Sequence, residues 1–235
     1  MDANQDKNYN NRIWELDFLR GLALILMTYF HLIYDMKELY GYPVSYEGNV
    51  TDFIGKLSAI LFITISGIST SLGRSSWKRG LKVLGAAMLI TLVSYIFNND
   101  FFVIFGILHF LGLSMILSVI LKKLNNISLL AIGTAIMLVG YNIPLDNFSN
   151  DYLMMLGFRS PAFSSSDYYP LIPYLGIFLI GMVLARMLYH RKKSLIAPFP
   201  GHHIISMAGR HSLPIYLIHQ PVIILILYLI NTTAK

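Results

Sequence analysis

The 235-residue chain contains no cysteine. That excludes a disulfide framework, a thiolate nucleophile and any Cys-based metal site, and it leaves the redox compartment unmarked. Charge is also scarce: 13% of residues are Asp, Glu, Lys or Arg while 55% are hydrophobic, far from the balance of a soluble domain. Acidic residues are the rarer sign, 12 against 18 Lys and Arg, for a formal net charge of +6. Such an excess can mark a nucleic-acid binder, but these Lys and Arg cluster in short connections between apolar runs, where membrane orientation accounts for them. No nucleic-acid partner is expected. The polar opening "MDANQDKNYNNR" is not strongly basic, and no small-residue cleavage site follows the first apolar run as a secretory signal requires. The first span is therefore expected to be kept, with residues 1–12 as a cytoplasmic tail and 13–235 as a single transmembrane domain.

What the chain has in quantity is long apolar runs. Seven can be marked, at about 16–36, 53–73, 81–97, 101–121, 127–141, 171–189 and 213–230, and they predict an all-α polytopic bundle of about seven membrane helices. The fifth is short and is expected to extend into its flanks or lie partly re-entrant. Lys and Arg alternate between the connections. Arg74, Lys78, Arg79 and Lys82 follow the second run, Lys122 and Lys123 the fourth, and Arg186, Arg191, Lys192, Lys193 and Arg210 stand between the sixth and seventh. By the positive-inside bias those ends face the cytoplasm, so the N-terminus lies inside, the C-terminus outside, and the number of crossings is odd.

The first run, "ELDFLRGLALILMTYFHLIYD", carries Asp17, Arg20, His31 and Asp35. Ionisable groups in hydrocarbon are costly, and those that persist usually face a protein interior or a polar cavity. Arg20 and His31 are eleven positions apart, close to three helical turns, so they share a face with Leu24 and Met27 between them, roughly 16 Å from end to end. A fixed cation at the cytoplasmic end of an apolar rail, with a titratable imidazole toward the outer end, suits a long thin ligand with an anionic head. Acyl-coenzyme A is one such ligand: phosphates at Arg20, pantetheine along the rail, thioester near His31. Asp35, one turn further, is placed to orient the imidazole and favour its protonated form. Arg74, Lys122, Lys123 and Arg210 could share the phosphate load.

Other polar groups stand in the second, fourth and seventh runs. "ILFITISGIST" brings Thr64, Ser66, Gly67, Ser69 and Thr70, small residues that permit close helix packing. "FGILHFLGLS" buries His109, which can be either a core histidine satisfied by the backbone or a functional group. "GRHSLPIYLIHQP" places Pro214 near a helix start, then Tyr216, His219 and Gln220, with Pro221 expected to kink the helix. A broken, polar helix start of that kind is costly unless it lines a cavity.

Taken in order, "LDFLRGLALILMTYFH", "ILFITISGISTSL", "FGILHFLGLSMIL" and "GRHSLPIYLIHQPV" resemble bacterial relatives of the heparan-alpha-glucosaminide N-acetyltransferase catalytic family across most of the chain. That family belongs with the wider transmembrane acyltransferases, including the acyltransferase-three family, marked by an arginine and a histidine separated by ten residues on the first helix, as Arg20 and His31 are. The resemblance implies transfer of an acetyl or other acyl group from cytoplasmic acyl-CoA to a glycan or lipid-linked sugar on the outer side of the cell membrane. It also implies that His31 is the catalytic base and Arg20 a coenzyme contact. The match at position 31 is closer to the acyltransferase-three arrangement, because the lysosomal branch has asparagine there and its histidine in the first luminal loop, whereas residues 36–52 here hold no His. The word "heparan" therefore does not name the acceptor.

The expected site comprises His31, Asp35 and His219 in catalysis, with Arg20, Asp17, Arg210 and Tyr216 at the coenzyme, and His109, Ser66 and Gln220 as further candidates. Tyr216, His219 and Ser66 are candidate donors to the thioester oxyanion. His31 can act as a base or carry the acyl group itself, and the choice is open. No H-x-x-x-H spacing lies in a span, so no metal is expected. Expected partners are acyl-CoA, the acceptor sugar and membrane lipids, and a homodimer is allowed. A transporter or lipid flippase, or a non-catalytic membrane partner protein, are the rival classes. The first would be favoured by inverted repeats with paired broken helices, which the sequence does not show.

Overall fold

The computed structural model describes residues 13–97 and 102–233; the expected cytoplasmic tail, 1–12, lies outside them. Among the described residues there are eight α-helices and no strand, only an isolated bridge between Phe105 and Tyr168. The helices are α1 (Trp14–Tyr40), α2 (Val50–Leu72), α3 (Ser76–Phe97), α4 (Ile107–Leu121), α5 (Asn126–Asn142), α6 (Leu171–Leu188), α7 (His202–Arg210) and α8 (Ser212–Thr233). Every expected apolar run is a helix. Five of them, α1, α2, α3, α6 and α8, are long and apolar enough to cross a membrane, while α4 and α5 are shorter apolar helices. The protein is a polytopic helical membrane protein.

Two departures from the sequence reading have local causes. The fourth run begins to coil only at Ile107, because the preceding residues are held extended: the Tyr169 N–H donates to the Phe105 carbonyl (3.0 Å) and Asp167 accepts from the Ile107 N–H (2.9 Å), capping α4 from a distant loop. The helix α7 is not among the expected elements. Pro198, Pro200 and Gly201 give its approach the composition of a loop, and with nine residues it is too short to register as an apolar run.

Contacts cluster the chain into two compact units, one formed by the residues up to Phe62 together with Lys192 onward, the other by Ile63–Arg191. In the second unit, α3 shows how the polarity is arranged. Its buried residues are Ser76, Gly80 and Ala87, whereas Leu81, Met88, Leu89, Leu92, Val93 and Ile96 are exposed. An apolar outside over a small-residue inside is the pattern of a helix that faces lipid and packs by close approach. The close approaches occur at glycines. A Cβ on Gly67 would stand 2.2 Å from the Phe178 carbonyl oxygen, one on Gly181 would stand 2.4 Å from that of Thr64, and Gly80 and Gly112 meet each other's backbones in the same way. The small residues of "ITISGIST" thus do pack a helix, α6, against α2. Cations close this unit's helix ends: Lys122 donates to the Gly73 carbonyl and the Ser76 hydroxyl (both 2.8 Å), and Arg186 to the carbonyls of Leu124 (2.7 Å) and Lys122 (2.9 Å).

In the first unit α1 and α8 run parallel, since Asp17, His31, Asp35 and Tyr42 meet Arg210, His219, Gln220 and Asn231 in that order. First and last spans in one direction agree with an odd number of crossings. The base of the unit is a backbone-to-backbone crossing of α1 and α7. A Cβ at Gly21 would fall 2.0 Å from the Ile205 carbonyl oxygen, and one at Gly209 would fall 1.8 Å from that of Asp17.

Candidate functional site

All the polar residues of the first run lie on one uninterrupted helix, α1, with Leu24 and Met27 buried between its arginine and its second-half histidine. Leu24 and Met27 stand between Arg20 and His31 on α1, and α7 and α8 bring further groups to the two ends of this stretch.

At the N-terminal end Asp17, buried in the α1–α7 crossing, accepts from Arg20 Nη1 at 2.9 Å and pairs with Arg210 Nε at 3.4 Å. Arg20 is one turn along α1; Arg210 ends α7 and reaches the same carboxylate because Gly21 and Gly209 let the two backbones touch. One carboxylate between two guanidinium groups fixes the orientation of both forks, the planar geometry suited to bidentate recognition of an anion. Asp17 thus holds the two arginine side chains together. Beside it, Glu15 takes the Leu195 N–H (2.7 Å) and the Ser194 hydroxyl, and Trp14 Nε1 donates to the Ile196 carbonyl (2.9 Å), fastening the approach to α7 onto the start of α1.

About three turns along, His31 Nδ1 lies 3.0 Å from the Met27 carbonyl oxygen. A carbonyl can only accept, so Nδ1 carries the proton and the neutral ring presents its lone pair at Nε2. The His31 ring is half-buried and packs edge to face on His219 from α8, centroid to centroid 4.9 Å. His219 is built alike: Nδ1 donates to the Tyr216 carbonyl, and its buried Nε2 has no hydrogen-bond partner among the described residues. Asp35, 1% exposed, has both oxygens held by Gln220 Nε2 at 2.8 and 2.9 Å. The imidazole is thus oriented by Met27 rather than by a hydrogen bond to Asp35, which lies one turn further along α1. The Tyr216 ring lies tilted beside His219 (5.1 Å) and meets Phe62 edge to face (6.4 Å). Pro221 sits inside α8 and cannot donate to the Leu217 carbonyl, leaving backbone acceptor capacity close to this cluster.

Two candidates belong to the other unit. His109 accepts from the Gly106 N–H at Nδ1 (3.2 Å) and meets Thr91 Oγ1 at Nε2 (3.1 Å), the threonine passing its own proton to the Val103 carbonyl (2.8 Å). Both nitrogens are spent on stapling the start of α4, which is a structural use. Ser66 is buried in α2 with no partner for its hydroxyl among the described residues. Lys122, expected as a phosphate ligand, is committed to closing α2 and α3. Sequence reasoning missed Glu15 and the glycine pair, although Gly21 directly after Arg20 and Gly209 directly before Arg210 were visible signals.

The family model for the heparan-alpha-glucosaminide N-acetyltransferase catalytic domain matches residues 12–221. The chain belongs to that family. The match takes in α1, the α7 crossing and α8 as far as Pro221, so every residue of the Arg20–Arg210 and His31–His219 clusters lies inside it. Membership makes the chain a member of a membrane acetyltransferase family. No curated protein and no solved structure matches it. Among the described residues no group of three or more His, Asp or Glu side chains is placed to hold a metal ion.

Proposed function

We propose that this family member moves an acyl group, acetyl first among them, from acyl-CoA held at the Arg20–Arg210 end of α1 to a sugar or glycan hydroxyl or amine that approaches His31 from the opposite face of the cell membrane. The observation that carries the reading is the meeting of two arginines, Arg20 on α1 and Arg210 on α7, at Asp17, with the His31 imidazole on α1 roughly 16 Å along the axis from Arg20. Basic connections put the arginine end on the cytoplasmic side, where acyl-CoA is supplied.

The steps follow from the groups in place. Arg20 and Arg210, steadied by Asp17, bind the coenzyme phosphates, with the acyl arm directed along α1 toward His31. His31 Nε2 takes the proton of the acceptor hydroxyl or amine as its oxygen or nitrogen attacks the thioester carbonyl. The C–S bond then breaks, and the coenzyme leaves as a thiol with the proton returned by His31. Asp35 favours the imidazolium in between, and Gln220 holds that carboxylate in place. His219 in its neutral form has no proton at Nε2, so it steadies the His31 ring and does not donate to the oxyanion; the Tyr216 hydroxyl remains the donor candidate on α8.

The test is acetyl transfer in sealed vesicles, with acetyl-CoA supplied on the side of the basic connections and a simple hexose or hexosamine on the other. Arg20→Gln should raise KM for acetyl-CoA with little change in kcat, since it removes a uniform binding contact. His31→Ala should lower kcat by roughly 10²–10⁴. Transfer that survives His31→Ala, or product confined to the coenzyme side, would refute the reading.

A further inference from the structure

The segment 192–211 is used by the proposed chemistry only through Arg210. The rest of it has a character of its own. It contains Lys192, Lys193 and Arg210, three histidines and no carboxylate. It also exposes five large apolar side chains: Leu195 (53%), Ile196 (61%), Phe199 (46%), Ile204 (76%) and Met207 (55%). A loop facing water would not keep so many.

Its position follows from the spans it touches. Only His211 separates the end of α7 from Ser212, the first residue of the membrane-crossing helix α8. At its other end, Phe199 and His202 pack on the Trp14 ring at 5.4 and 4.7 Å, and Trp14 is the first residue of the membrane-crossing helix α1. The segment is therefore tied to the points where two spans meet the membrane surface. α7 divides accordingly: His202, Ser206 and Gly209 are buried on the unit's own side, while Ile204 and Met207 face out. A short helix with an outward apolar edge at this depth, beside exposed lysines and an indole, has the chemistry of an element lying in the headgroup plane.

We infer that residues 192–211 form an in-plane surface element that seats its apolar side chains among lipid tails and engages anionic lipid headgroups through Lys192 and Lys193. The partner is a lipid rather than a protein because the cations flank the apolar residues at the level where headgroup phosphates lie. Each lysine beside an anionic surface contributes roughly fivefold to partition. Seating this element would also hold α7, and with it Arg210, against Asp17. The surface role does not depend on the acyltransferase reading.

The absence of cysteine makes the test direct. Single spin labels at Ile204→Cys and Met207→Cys, and at Glu47→Cys in the exposed 41–49 loop, are compared in nanodiscs of phosphatidylcholine with and without phosphatidylglycerol. The labels at 204 and 207 should collide severalfold less often with a water-soluble nickel chelate, relative to oxygen, than the label at 47. Adding phosphatidylglycerol should deepen both, and Lys192→Gln with Lys193→Gln should abolish that deepening. Nickel access equal to that at position 47 would overturn the proposal and mark the segment as a water-facing surface for a protein. Deepening that survives the double glutamine variant, or none in the unaltered chain, would overturn the role of the lysines.

Discussion

Replacing Gly209 by alanine isolates one contact that the site depends on. The added methyl would sit 1.8 Å from the Asp17 carbonyl oxygen and 2.8 Å from the Gly21 nitrogen, both rigid backbone atoms. Ordinary contact begins near 3.4 Å, so α1 and α7 must part by about 1.6 Å. Overpacking of this kind costs about 1–3 kcal/mol, partly offset by the ~1 kcal/mol that alanine gains over glycine within a helix. Global stability should therefore move little. The local effect is larger, because Arg210 is the next residue and its Nε is 3.4 Å from Asp17 before any displacement. Parting the helices breaks that pair and displaces one of the two guanidinium groups that the proposed function assigns to the coenzyme. A charge-assisted hydrogen bond of about 1.5–3 kcal/mol corresponds to a loss of roughly ten- to a hundredfold in affinity. Calorimetric titration of the purified Gly209→Ala variant with acetyl-CoA reads this without an acceptor, and a thermal melt confirms folding. Unchanged affinity in a folded variant would show that the α1–α7 crossing does not position Arg210 for a ligand.

Other perturbations address the supports around the site. Glu15→Ala strands the Leu195 N–H and should cost about 1–3 kcal/mol, read as a lower melting temperature and faster proteolytic nicking within 192–201. His109→Leu leaves the Gly106 N–H without its acceptor and the Thr91 oxygen without the His109 donor, so it should destabilise by a similar ~1–3 kcal/mol while acetyl-CoA affinity stays unchanged; a selective loss of affinity would give His109 a direct role. Burial pushes the Tyr168 phenol, in the loop before α6, up to about 12, against the pull of Arg159 and with a smaller push from Asp151. The folded value lies above the ordinary 10, so this group's stabilising contribution is present below pH 10 and lost as pH rises toward 12. Melts across that window should fall, and less steeply in Tyr168→Phe.

The helical fold was legible because length and apolarity are local signals: each of the seven runs needs only its own residues to be read as a helix. Arg20 and His31 could be placed on a shared face for the same reason, since helical period is enough. The partners were harder. Gln220 holds Asp35 across 185 positions, and nothing in the α1 pattern distinguishes it from the expectation that Asp35 serves His31. His109 and His31 look equally suggestive in sequence, yet one has both nitrogens consumed by its neighbours and the other keeps Nε2 available. The boundary at Ile107 and the existence of α7 both depend on tertiary contacts, Asp167 to the α4 start and Gly209 to α1, which no window of local sequence contains.

The unit that carries the site is discontinuous in the chain: α1 comes first, and α7 and α8 come only after the whole of Ile63–Arg191. Synthesis at about 5–20 residues per second means that α1 waits roughly 10–40 s between its own emergence and that of Gln220. During that interval Asp17 has Arg20 but not Arg210, and Asp35 has no Gln220 amide to hold it, so a helix that carries Asp17, Arg20, His31 and Asp35 must persist in the membrane on the strength of its apolar residues and of α2. Ribosomes stalled before α7 would carry an inserted first span with no completed site. The site becomes complete only when the last helix arrives, so its maturation is a late event set by translation time and not by the insertion of the helix that bears His31.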